Sequence, residues 1–142
     1  MAEVAAQIEA LGAQALARKT DVTDEAAIEH LKTETLARFG TVDILINNAG
    51  IIQPFVPITD LTIEQAHKVM DVNFYGPLTL IKAFLPGLIG RPEAHILNVS
   101  SMGAYAPVPG QSVYGALLGQ EPLSDKVIPT RWERLFLIPV DL

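Results

Sequence analysis

The stretch "VDILINNAG", residues 42–50, decides how the rest of the chain is read. An apolar run over residues 42–46 ends in two asparagines, an alanine and a glycine. That is the pattern of a parallel strand buried on both faces that opens into a tight loop. Upstream, Asp24 is placed to cap a helix whose Ala27, Ile28, Leu31, Thr35 and Leu36 share one face, and Gly40 ends it. Earlier still, "AQALARKTDV", residues 13–22, reads as a short strand. Before that, Val4, Ile8 and Leu11 recur at helical spacing, with Gly12 as a left-handed stop.

Downstream of the deciding stretch, a loop with two prolines leads to Thr62, which opens a long helical pattern over residues 62–88. Its core side comprises Ala66, Val69, Met70, Phe74, Leu80, Ile81 and Phe84, with a disturbance expected near Gly76 and Pro77. "AHILNVSS", residues 94–101, is a second buried strand. Strands alternating with helical segments indicate βαβ units, hence an α/β fold with a parallel sheet and right-handed crossovers. After Tyr114 the pattern degrades, because Pro122, Pro129 and Pro139 leave no room for a long helix, and residues 135–138 are the one strand candidate there. The chain divides into residues 1–116 and a divergent tail, 117–142.

The 142 residues suffice for one domain that buries roughly 70% of its unfolded surface. Nearly half are hydrophobic and 18% are charged, which excludes a disordered acidic tail. The formal charge of -6 comes without any basic run, so nucleic acid is not an expected partner. With no cysteine, disulfides, thiolate metal sites and cysteine nucleophiles are excluded. His30, His67 and His95 lack ligand spacing, and no metal is expected. The N-terminus has neither a basic nor an apolar signal region, and Pro77, Lys82 and Pro86 interrupt the most apolar stretch, so no membrane partner is expected and the cytoplasm is the expected compartment.

Four motifs carry chemistry together: "NNAG" at residues 47–50, "VNFYG" at 72–76, "NVSS" at 98–101, and Tyr114, thirteen positions after Ser101. In that order and spacing, over residues 2–116, the chain resembles the short-chain dehydrogenase/reductase family. The resemblance implies a partial Rossmann-like sheet with flanking helices, lacking the family's first two strands, with the sixth strand also expected to be absent. It implies NAD or NADP as cofactor and a small alcohol or carbonyl as substrate.

On that resemblance Tyr114 is the general acid/base, Ser101 donates a hydrogen bond to the substrate oxygen, and Asn73 holds a water near the family's lysine. Asp21 and Val22 resemble the residues that meet the adenine ring, and Asn48, Ala49 and Gly50 the loop beneath the adenosine ribose. Some residues have second readings. Asn73 could satisfy backbone groups in a disturbed helix, Asp21 could cap the helix near Asp24, and Asn47 and Asn48 could be turn formers.

Two departures qualify the resemblance. Leu118 stands where the family has the lysine that favours tyrosinate and binds the nicotinamide ribose, and Lys126 lies too far beyond to replace it. No glycine-rich diphosphate loop occurs in the sequence. Impaired catalysis is therefore expected. The expected protein partners are further copies of the chain or a full-length relative.

Overall fold

The computed structural model describes residues 1–101, 103, 109–118 and 136–139. Helix α1 (Ala2–Ala10) buries none of its residues, and Gly12 follows it at φ +86°, a left-handed backbone that glycine adopts without strain. Residues 13–22, expected as a strand, form none. A strand exists only through ladder bonds to a neighbour, and among the described residues this segment has no strand beside it. Arg18 ties it to Glu34 of the next helix, and Val22 packs against the core.

Helix α2 (Glu25–Phe39) begins where the Asp24 carboxylate accepts from the Ala26 and Ala27 N–H groups at 2.9 and 3.2 Å, two donors without intrahelical partners. It ends at Gly40, φ +78°. Strand β1 (Ile44–Asn47) pairs in parallel with β2 (His95–Ser100), Leu45 beside Ile96 and Asn47 beside Asn98.

Between these strands runs the long helical segment. Helix α3 (Ile63–Met70) starts with a reciprocal capping box, Gln65 N–H donating to Thr62 Oγ1 at 3.1 Å and Thr62 N–H donating to Gln65 Oε1 at 3.0 Å. A π-helical turn, Asp71–Tyr75, is the expected disturbance, and α4 (Gly76–Ile89) continues from it. Pro77 falls in the first turn of α4, where a missing N–H is harmless, and Pro86 near its end. By length and composition alone, Ile63–Ile89 could cross a membrane. Here Leu80, Phe84 and Leu88 form the core with Ile28, Leu45 and Ile96, so α4 lies between α2 and the sheet.

The other face of β1 departs from expectation. Ile44 and Ile46 are 57% and 56% exposed, because α4 and α2 cover only the face bearing Leu45 and Asn47. A parallel strand is buried on both faces only when helices cover both.

Helix α5 (Ser112–Leu118) packs against α3. Strand β3 (Phe136–Pro139) then pairs in parallel with β2, in the order β1-β2-β3. The strand expected at 135–138 thus forms, one residue on. It also corrects the expectation of no sixth strand: in the doubly wound order 3-2-1-4-5-6, a strand on the far side of the fifth stands in the sixth place. Lys126, Pro122 and Pro129 lie outside the described residues.

Candidate active site

The strands run parallel, so their carboxyl ends share one edge, where open α/β sheets bind ligands. Asn47 and Asn98, neighbours in register, link their side chains there, Asn47 Nδ2 donating to Asn98 Oδ1 at 2.8 Å. Asn48, Ala49 and Gly50 follow at the surface as an exposed loop.

Asn73 sits within the π-helical turn, where the backbone leaves α-helical register. Its side chain holds the loop after β1 from both sides. Ile51 N–H donates to Asn73 Oδ1 at 2.8 Å, and Asn73 Nδ2 donates to the Ile51 carbonyl at 2.7 Å. The backbone groups it satisfies therefore belong to the loop and not to its own helix. Gly50 lies alongside, where a Cβ would stand 3.6 Å from Asn73 Oδ1.

Ser101 and Tyr114 both approach Gly103. The Gly103 N–H points to Ser101 Oγ at 3.5 Å, and a Cβ on Gly103 would come within 3.3 Å of Tyr114 Cε1. Leu118 Cδ1 would lie 3.3 Å from the same point, so the leucine shares that wall with the tyrosine ring.

Gln53 was invisible to pattern reading. It is 1% exposed, and its Oε1 accepts from the Val113 and Tyr114 N–H groups at 2.9 and 3.0 Å. Its Nε2 donates to the Gly110 carbonyl at 3.0 Å, and Gln111 Nε2 donates back to the Gln53 carbonyl at 3.1 Å. The only local signal is one amide in an otherwise apolar loop, "IIQPFVP".

Val22 packs on the first residue of α4. A Cβ on Gly76 would meet Val22 Cγ2 at 3.0 Å and its carbonyl oxygen at 3.2 Å, so any other residue here would force Val22 to shift by a few tenths of an ångström. Asp21, beside it, accepts from Thr23 N–H at 2.9 Å and from the Thr23 hydroxyl at 2.8 Å. Those bonds, with a lesser contribution from Lys19, hold its carboxyl below the usual carboxylate value. The helix cap belongs to Asp24. Asp21 also borders an open cleft of about 580 Å³ with Thr23, His67, Lys68 and Asp71, which does not extend to Ser101 or Tyr114.

Known proteins resemble this chain in sequence and fold. The family described as short chain dehydrogenase matches residues 1–117. The rat (Rattus norvegicus) protein named Dehydrogenase/reductase SDR family member 7B is 42% identical over 96 residues, 68% of this chain and 29% of the relative. Among solved structures, NAD+-bound xylitol dehydrogenase superposes with a TM-score of 0.77 at 28% identity, covering 83% of this chain and 45% of that one. A metagenomic short-chain oxidoreductase in complex with NADP superposes at 0.75 with 31% identity, covering 82% and 52%. The chain thus spans under a third of that rat relative and about half of each solved neighbour. With the match running from the first helix through the tyrosine of α5, and with these two solved neighbours holding NAD+ and NADP, the chain belongs to the short-chain dehydrogenase family.

Proposed function

We propose that these residues form the proton-transfer and adenosine-side portion of an NAD(P)-dependent oxidoreductase acting on an alcohol or carbonyl, and that these 142 residues alone turn over poorly or not at all. One observation supports the reading: Gly103, whose N–H points to Ser101 Oγ, lies beside the Tyr114 ring. There Tyr114 exchanges a proton with the substrate oxygen, and Ser101 donates a hydrogen bond to it as its charge changes. Asn73 fixes the loop of Asn48, Ala49 and Gly50 through Ile51, and Asp21 and Val22 face the adenine end.

The residues fit one end of the cofactor and not the other. Asp21, held ionised, and the exposed loop after β1 suit an adenosine. A diphosphate calls for a glycine-rich helix start, and the sequence holds no such motif. Bound, the cofactor would supply or take the hydride; the impairment follows from the missing diphosphate cradle and from Leu118.

Titration of NADH and NADPH into the chain tests this. A ligand at one hundred times its dissociation constant stabilises the native state by about 2.7 kcal/mol. We expect no saturable heat at micromolar cofactor and no rise in Tm. A stoichiometric micromolar site would overturn the impairment.

A second reading has its own observation. Ile44 and Ile46 are more than half exposed on β1, which is an edge strand among the described residues. Such an edge favours association, with a second copy or with a longer relative that covers it.

A further inference from the structure

We propose that Gln53 is a positioning residue for Tyr114, coupling the loop after β1 to the start of α5; the inference rests on the reading of Tyr114 as the proton carrier. Val113 and Tyr114 occupy the second and third positions of α5, whose N–H groups have no acceptor inside the helix. The residue before a helix commonly satisfies them with its own side chain. Here Gln111 turns its amide toward the Gln53 carbonyl, and the acceptor comes from Gln53, some sixty positions away in sequence.

The remaining contacts make this a two-sided lock. Gln53 Nε2 holds the Gly110 carbonyl, and Gly110 sits at φ +79°. A Cβ there would stand 3.3 Å from the backbone of Phe55 and Val56, so the turn before α5 lies directly on the loop. The same loop is gripped two residues earlier, at Ile51, by Asn73. A displacement of the Asn48–Gly50 loop is thereby transmitted through Ile51 and Gln53 to the first turn of α5, where Tyr114 projects toward Gly103. An amide suits the role because it offers an acceptor and a donor from one buried group, each matched to a backbone partner.

The test is nuclear magnetic resonance on the 142-residue chain. In the unmodified protein, the Val113 and Tyr114 amides are expected to exchange slowly despite lying in the first helical turn. Exchange at the rate of a free peptide overturns the proposal without any variant. In Gln53→Met, which keeps the volume and removes the hydrogen bonds, both amides are expected to exchange about tenfold faster, the equivalent of losing about 1.4 kcal/mol. The cross-peaks between the Tyr114 ring and Gly103 should disappear, while the amide–amide cross-peaks within α5 persist. Gln53→Glu keeps an acceptor oxygen and is expected to restore protection and the Tyr114–Gly103 contact. Unchanged contacts in Gln53→Met overturn the proposal, as does unwinding of α5 in both variants, since Gln53 would then serve folding rather than placement. Neither readout depends on turnover. Failure of the reading of Tyr114 itself would show separately, as an oxidoreductase activity of the Leu118→Lys chain fused to a family glycine-rich segment that Tyr114→Phe leaves intact.

Discussion

Asp21 shows how much of the site's chemistry is set by single residues. Its carboxylate is fully at the surface, yet two hydrogen bonds from Thr23 favour the charged form. Because the folded carboxyl titrates below its unfolded value, whatever stability it contributes is present above the unfolded pKa and is lost as pH falls through the folded one. The Thr23 amide proton should therefore shift with a midpoint below the ordinary aspartate value of about 3.9. Asp21→Asn, which keeps an oxygen acceptor without the charge, should remove that titration and leave the turn in place. A midpoint at or above the ordinary value would mean that the Thr23 bonds do not act on the carboxylate. Asn73 carries the same lesson for an uncharged group: its type was legible, but its target was not. The side chain could have served its own helix or a distant loop, and only the Ile51 contacts decide between them.

At the level of elements, Gly76 is where the long helix meets the segment before α2. A methyl group there would press on the Val22 carbonyl as well as its side chain, and backbone cannot retreat as a flexible side chain can. Overpacking of that kind costs roughly 1–3 kcal/mol, offset in part by the better helix propensity of alanine, about 1 kcal/mol. Gly76→Ala is thus expected to lower stability by up to about 2 kcal/mol, read as a lower urea midpoint, and to shift the Val22 resonances. The elements legible in the sequence are those whose cause is local. The Asp24 cap, the Thr62 start, the disturbance before Pro77 and the β1 run were each written in a few adjacent residues. Residues 13–22 have a strand-like pattern yet form no strand, because a strand is a relation between two segments, and local pattern supplies only one of them. Gln53 escaped notice for a similar reason: its partners are some sixty positions away and leave no periodicity behind.

For the whole molecule, the half-covered sheet and the proposed cofactor site lead to separate expectations. Ile44 and Ile46 look identical in sequence to buried strand residues, and their exposure is a property of the layers around them. Ile44→Lys with Ile46→Lys should leave the Leu45 face intact and reduce self-association measured by light scattering; unchanged association would place the contact elsewhere. The cofactor site is tested by Leu118→Lys. Leu118 lies against Gly103 beside the Tyr114 ring, so a lysine stem can follow the same wall and bring an ammonium to the helical face of the phenol. An opposite charge there would favour the ionised phenol. Turnover should nevertheless stay at background. Hydride transfer requires the donor carbon within near-attack distance of the substrate, and on the proposed reading a corrected proton carrier alone does not hold the cofactor, since the sequence carries no glycine-rich diphosphate motif. Oxidation of NADH or NADPH with a panel of small ketones and aldehydes is expected to appear only when Leu118→Lys is combined with a fused family segment that brings the glycine-rich loop. If Leu118→Lys alone turns over, and Tyr114→Phe abolishes that turnover, the diphosphate is being held by another part of this fold and the impairment lay in one side chain.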